Sequence, residues 1–242
     1  MNIVLAAGFA TAPSFMEPLE RYLRAIWKEL PSYTKFIYAF PYGDWGRSRW
    51  KQLRELRHDI FAERGSRFQS VGGVRLLSQL QSECREGPVI MIGHSGGGVA
   101  AVHAAARWSK ADPDLCLQHS FRLILVGAPR CRVPDDWKAS TMYVYNCRAG
   151  GRRKDPVAGI GSWSGWDTDG RRWPRLRWNE HRHAPGTLLG LPLLGSHPDY
   201  FRDSVPFVNE QGKSNLDQVG EAIRLWLFQN EATKLVQPSF VL

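Results

Sequence analysis

A serine flanked by glycines lies between a short apolar run and an alanine-rich run. The motif is Gly93-His94-Ser95-Gly96-Gly97, a G-x-S-x-G pattern. The preceding run, Pro88–Ile92, predicts a buried strand, and the following run, Val99–Trp108, predicts a helix. In this setting the glycines permit a cramped turn that presents the serine hydroxyl, as a covalent nucleophile requires. A phosphate-binding loop is the alternative, but the chain has no G-x-x-x-x-G-K-[ST] motif and no G-x-G-x-x-G in its first strand–helix unit.

The elements that must position this serine alternate along the chain. Short apolar runs predict strands at Asn2–Ala6, Lys35–Phe40, Pro88–Ile92, Phe121–Val126 and Thr141–Asn146. Longer runs predict helices at Phe15–Leu30, Val71–Cys84, Val99–Trp108 and Asn215–Gln229. The alternation predicts an α/β fold, with a mostly parallel, twisted sheet and helices on both faces. The length of 242 residues favours a single domain, 1–242.

Composition excludes several classes of protein. No apolar run approaches the roughly 20 residues that a membrane-spanning helix needs, and the chain is long enough to bury a core without disulfides. No metal module is expected, because the four cysteines (Cys84, Cys116, Cys131 and Cys147) have neither C-x-x-C spacing nor a histidine at zinc-site intervals. The chemistry suggested by the serine requires no metal and no organic cofactor.

The net charge of +9 is local. Residues 47–67 and 148–185 carry net charges of +4 and +5, which together equal that of the whole chain. Charge of this kind favours an anionic partner, either an acidic substrate or an anionic surface, although charged runs are usually solvated. Nucleic acid is disfavoured because no RNA- or DNA-binding signature is present.

The Gly93–Gly97 motif and the strand–helix order resemble the α/β-hydrolase superfamily, and within it the small lipases and esterases. The resemblance implies a Ser–acid–His triad in that chain order. It implies Asp155 as the acid, since Asp-Pro-Val after the strand Thr141–Asn146 looks like the acid turn of many lipases. Asp167 and Asp169 are the rivals. It implies His197 as the base, because this histidine stands before the closing helix and is followed three residues later by a tyrosine.

The resemblance also implies an oxyanion hole. The backbone N–H of Gly96 is one expected donor. The N–H of Phe9 is the other, in the run Ala7-Gly8-Phe9, where lipases often carry His-Gly followed by an apolar residue. This role favours residues 3–12 as mature structure rather than a signal peptide, as does the lack of any Lys or Arg before Arg21. A cytoplasmic location is therefore expected, with secretion as the alternative.

The substrate is the least determined part. Residues 156–196 are too long for a plain connection and predict a lid or substrate-binding excursion. Within it, Trp163, Trp166 and the run Leu188–Leu194 are candidates to contact an acyl chain, with a small satellite core as the alternative. His94 is expected to pack beside Ser95 and, like the two tryptophans, to contact substrate. The expected activity is hydrolysis of a small-molecule or lipid carboxylic ester. The alternatives are a thioesterase or acyltransferase with the same triad, or a basic nucleic-acid-associated or non-catalytic interaction protein.

Overall fold

The computed structural model describes residues 1–27, 30–61, 69–84, 86–111, 121–148, 150–168 and 176–235. Its strands are β1 (Asn2–Ala6), β2 (Lys35–Ala39), β3 (Val89–His94), β4 (Arg122–Val126), β5 (Thr141–Asn146), β6 (Gly165–Thr168), β7 (Leu176–Asn179) and β8 (Thr187–Leu191). Its helices are α1 (Glu17–Ile26), α2 (Arg49–Ile60), α3 (Val71–Glu83), α4 (Gly96–Ala111) and α5 (Asn215–Leu235).

Six strands form one parallel sheet in the order β2-β1-β3-β4-β5-β8. Successive residues of β1 face opposite sides of it: Val4 packs with α2, α3 and α4, whereas Leu5 packs with α1 and α5. Because both faces are covered, the central strands are apolar on both sides, as the sequence predicted. The sheet order and the covered faces confirm the predicted α/β-hydrolase fold.

The alanine- and glycine-rich α4 lies very close to the sheet. A Cβ on Gly97 would stand 2.0 Å from the carbonyl oxygen of Ala6, and a Cβ on Gly98 would stand 2.7 Å from the Cβ of Ala128. Only glycine allows the helix this approach. Since α4 begins directly after Ser95, the close packing fixes the serine at the carboxyl ends of β1 and β3, the usual position of ligand sites in open α/β sheets.

The predicted excursion 156–196 contains parts of the scaffold. Its residues 187–191 are β8, the edge strand, which pairs with β5 from Met142↔Thr187 to Asn146↔Leu191. The leucine run expected to face an acyl chain or a satellite core therefore belongs largely to the central sheet. A half-buried edge strand with an internal glycine has no clear period, so its pairing could not be seen in the sequence. Strands β6 and β7 form a separate antiparallel pair.

Among the described residues, no helix combines the length and hydropathy needed to cross a membrane.

Candidate active site

Ser95 occupies the turn between β3 and α4. Its φ of 55° is in the left-handed region, which is strained for a residue other than glycine. The turn is held by a hydrogen bond from the Ser95 N–H to the Val126 carbonyl oxygen, 3.0 Å long. It also requires Gly93, because a Cβ there would lie 2.5 Å from the Gly98 backbone. This is the strained strand–turn–helix geometry that the G-x-S-x-G spacing predicted.

Asp155 and His197 are hydrogen-bonded to one another. Nδ1 of His197 lies 2.8 Å from Oδ2 of Asp155, and the residues are 42 positions apart in the chain. A carboxylate can only accept, so Nδ1 carries the proton and Nε2 is left available as a base. Among the described residues no hydrogen bond joins Ser95 Oγ to the imidazole, although both side chains line one cavity. Such bonds are often long before a substrate binds.

Three donors surround the Asp155 carboxylate, which is 2% exposed. Besides His197, the hydroxyl of Tyr200 donates to Oδ2 over 2.9 Å and the N–H of Val157 donates to Oδ1 over 2.9 Å. Burial raises the pKa of Asp155, but the hydrogen bonds from His197, Tyr200 and Val157 outweigh it and hold the pKa below its ordinary value. Asp155 is therefore an ionised carboxylate at neutral pH.

The rival acid Asp167 is engaged elsewhere. Its Oδ1 lies 2.7 Å from Nε of Arg182, and its Oδ2 accepts a 2.7 Å hydrogen bond from Asn179. The other rival, Asp169, lies outside the described residues. Asp155, in contrast, is buried against His197 and Tyr200.

His94, at the end of β3, stacks on His197. Their ring centroids are 4.8 Å apart with 28° between planes, and His94 Nε2 donates to the His197 carbonyl oxygen over 3.2 Å. Phe15 packs against the same imidazole, with centroids 4.9 Å apart. Burial lowers the pKa of His94 to about 3, helped by the neighbouring His197. His94 is thus a neutral side chain that links the serine turn to the loop of the base.

The two expected oxyanion donors border the serine. Gly8 packs on the turn so tightly that a Cβ would lie 2.6 Å from Ser95 Cβ and 2.9 Å from the Gly96 nitrogen. The Gly96 amide therefore lies at this contact, and Phe9 directly follows Gly8 along the chain. Within the described ranges, neither of these N–H groups donates to a protein acceptor, so both are available to a substrate oxygen.

A cavity of about 590 Å³ opens above Ser95. His94, Ser95 and His197 form its polar end. Its other walls are largely apolar and come mainly from three segments: the loop 9–15, helix α2 with Phe61, and the turn that follows Asp155. The loop supplies Phe9, Ala10, Thr11, Ala12 and Phe15, the helix supplies Leu53, Leu56, Arg57, Ile60 and Phe61, and the turn supplies Val157 and Ile160. Pro129 and Pro198 complete the lining. A volume of this size suits a small organic molecule.

Two residues predicted to contact substrate do not line this cavity. Trp163 is 2% exposed and packs edge-on against Tyr143 in the core, with ring centroids 4.9 Å apart. Trp166 is exposed on β6 and contacts Trp178 across the β6–β7 pair. The prediction of substrate contact is therefore wrong for the buried Trp163, whereas for the exposed Trp166 it stays a prediction. Trp163 has a packing role, as the satellite-core alternative implies, but it packs in the main core rather than in a separate one.

The cavity wall comes chiefly from the loop 9–15 and from residues 53–61 rather than from the predicted excursion. Of the described residues in 156–196, only Val157 and Ile160 reach the lining. Much of the basic charge is also committed elsewhere: Arg182 pairs with Asp135 and Asp167, and Arg47 pairs with Glu55. Residues 171–175 of the second basic segment lie outside the described ranges.

The cationic side chain at the cavity is Arg57. It is exposed, and within the described part of the chain no carboxylate pairs with its guanidinium. Exposed apolar neighbours, Phe61 and Ile160, stand at the same opening. Sequence reasoning found the charge of this segment but had no signal for which of its arginines would face the site.

Sequence reasoning also missed Gln52. This α2 residue is fully buried and accepts a 2.9 Å hydrogen bond from the Ala10 N–H, next to Phe9. No motif marks such a glutamine, because its partners are backbone atoms brought together only by folding.

Among the described residues, no group of three or more His, Cys, Asp or Glu side chains could hold a metal ion. Cys84, Cys131 and Cys147 are buried, and Cys116 lies outside the described ranges.

The class of protein is defined by the parallel sheet, the strained serine turn and the buried Asp–His pair: the chain has the α/β-hydrolase fold. No protein-family model matches it, and no curated protein matches it. Among solved structures it is similar to a protein of Xanthomonas campestris pv. campestris described as a proposed hydrolase of the alpha/beta superfamily. That match has 15% identity, covers 81% of this chain and 87% of that chain, and has a TM-score of 0.37. Similarity at this level carries no argument about activity.

Proposed function

We propose that the protein is a serine hydrolase of carboxylic esters, acting through Ser95, His197 and Asp155. One observation carries the proposal: a serine in a strained turn shares a cavity with a histidine whose Nδ1 donates to a buried, ionised carboxylate. This pairing orients the imidazole and would stabilise the imidazolium formed when Nε2 takes the serine proton.

The proposed reaction has two stages. Ser95 Oγ attacks the acyl carbonyl as its proton passes to His197, and the oxyanion receives hydrogen bonds from the N–H groups of Phe9 and Gly96. His197 then protonates the leaving alcohol, and the acyl group remains on Ser95. Water, deprotonated by His197, releases the acid and restores the serine.

The cavity supports an apolar acyl group. Each buried methylene contributes about 0.8 kcal/mol, and this gain continues until the cavity is filled. Arg57 at the opening supports a substrate with an anionic group beyond the acyl chain. The remaining basic charge of residues 148–185 is not needed for this proposal.

Labelling with a tagged fluorophosphonate tests the proposal directly. We expect labelling of the wild type, its loss in Ser95→Ala, and its retention in Ser162→Ala, which removes an exposed serine outside the cavity. Hydrolysis of p-nitrophenyl esters should depend on Ser95 in the same way, with an optimum at acyl chains of about four to eight carbons.

Labelling that persists in Ser95→Ala would overturn the assignment of the nucleophile. Acyl-thioester substrates belong in the same panel, because a thioesterase uses the same triad. A thioester preference would change the leaving group, not the residues.

A further inference from the structure

We propose that Gln52 is a positioning residue for the oxyanion hole. It would act through the backbone of residues 9–12 rather than by touching substrate. The inference rests on the proposed function and adds a residue to its site. It follows from where the amide of Gln52 is placed and from what all of its polar atoms bind.

The side chain of Gln52 is fully buried, and both ends of its amide are occupied. Oε1 accepts from the Ala10 N–H over 2.9 Å. Nε2 donates to the carbonyl oxygens of Asp44 and Arg47, over 2.7 and 3.1 Å. These three hydrogen bonds offset the free-energy cost of burying the polar amide, and they join the loop containing Ala10 to the loop containing Asp44 and Arg47.

The loop that Gln52 holds is strained at the residue next to the expected donor. Ala10 has φ 49°, in the left-handed region that alanine rarely adopts. The hydrogen bond from its N–H to Gln52 stabilises this conformation. The Phe9 and Ala10 amides belong to adjacent peptide planes, so the bond that holds the Ala10 plane leaves only the two backbone dihedrals of Phe9 between that plane and the Phe9 N–H.

The far side of Gln52 is itself fixed. The carbonyl oxygen of Arg47 accepts from Gln52. The Arg47 guanidinium forms a bidentate ion pair with Glu55, which lies about one turn after Gln52 on α2, with N–O distances of 2.5 and 2.6 Å. Trp45 N–H donates to the Thr11 carbonyl oxygen over 3.2 Å, so the two loops also meet directly. Leu56, on the next turn of α2, packs against Gly96. One helix therefore supports both proposed donors.

The decisive experiment compares Gln52→Met with Gln79→Met. Methionine keeps the volume and removes the amide. Gln79 is the matched control, because it lies on α3 and its Nε2 also donates to a backbone carbonyl, that of Tyr38, over 3.0 Å, away from the cavity. We expect Gln52→Met to lower kcat 10- to 100-fold with KM within about twofold, since loss of one oxyanion donor costs about 10² to 10³.

A second measurement separates positioning from general destabilisation. The inhibition constant of a trifluoromethyl ketone, whose adduct with Ser95 carries an oxyanion, should rise by the same factor as kcat/KM falls. Gln52→Glu keeps the acceptor for the Ala10 N–H, and burial beside the Asp44 and Arg47 carbonyl oxygens favours its protonated form, which still donates to one of them, so this variant should retain more activity than Gln52→Met. It also serves as the test if the methionine variant does not fold.

Equal losses of kcat in the Gln52 and Gln79 variants, or a rise in KM alone, would overturn the proposal. So would an unchanged trifluoromethyl ketone affinity in Gln52→Met. Failure of the proposed function would give a different result. In that case Ser95→Ala would retain the wild-type activity, whatever the activity of the Gln52 variants.

Discussion

The imidazole of His94 stacks on that of His197 and donates from Nε2 to the His197 carbonyl oxygen. The residue before Ser95 is thereby bound to the loop of His197, 103 positions away in the chain. Because a carbonyl only accepts, His94 holds its proton on Nε2 and is neutral. This buried, neutral histidine couples the stability of the site to pH.

Replacing His94 with glutamine should flatten the pH dependence of stability. The pKa of His94 is about 3 in the folded protein, whereas a histidine in an unfolded chain titrates near 6.5. Between these values the unfolded state binds one proton more, so the wild type loses stability as pH falls. In the variant, the free energy of unfolding should fall less steeply as pH falls, by up to about 1.4 kcal/mol per pH unit. Denaturant unfolding from pH 8 to pH 4 measures it; parallel curves for the two proteins would contradict the prediction.

Asp155→Asn should lower kcat by about 10⁴-fold with little change in KM, since the amide cannot hold the productive tautomer of His197 or stabilise its imidazolium. The matched variant Asp167→Asn, which breaks the pair with Arg182, should retain wild-type kcat. Steady-state kinetics on one ester checks both. A reversed ranking would move the acid to Asp167.

Tyr200→Phe should destabilise the fold as well as the site. The hydroxyl of Tyr200 donates to Asp155 and accepts from the Asn146 N–H over 2.8 Å, so its loss leaves two buried groups without this partner. We expect a loss of about 1–3 kcal/mol in the free energy of unfolding, measured with urea. A change below about 0.5 kcal/mol would show that the hydroxyl contributes little.

Gly8→Ala should reduce activity more than its effect on the fold implies, because the new Cβ would displace Ser95 or the Gly96 amide. We expect kcat to fall at least about 100-fold. Gly159→Ala is the control, since nothing lies within 4 Å of its would-be Cβ and its φ is not positive. Equal kcat values for the two variants would remove Gly8 from the site.

Arg57→Gln should lower kcat/KM about three- to fivefold for an ester with a terminal carboxylate, such as a p-nitrophenyl hemiglutarate, and leave the neutral butyrate ester unchanged. An exposed charge contact is worth about 0.2–1 kcal/mol. Arg54→Gln, on the same helix but outside the cavity lining, should leave both substrates unchanged. High salt should reduce the wild-type preference. An equal loss on both esters would contradict charge recognition.

Local pattern was sufficient to locate the serine turn. Residues 93–97 predicted both the strained turn and its place in the sheet, since they lie between an apolar run and an alanine-rich run. Backbone strain and close helix packing both favour glycine at particular positions, so this signal is visible in a short stretch of sequence. The pairing of Asp155 with His197 was inferred from chain order, and the 2.8 Å hydrogen bond agrees with that inference.

What the sequence by itself determined was therefore local: the strand and helix periods, the serine turn, and the order of the polar residues around it. Only the tertiary structure decided what depends on long-range contacts. It assigned Leu188–Leu191 to the sheet, buried Trp163 in the core, made α2 the wall of the cavity and brought Gln52 to the Ala10 amide. Apolar side chains and single amides have the same composition in a core, a lid or a binding site, and only their packing partners distinguish these roles.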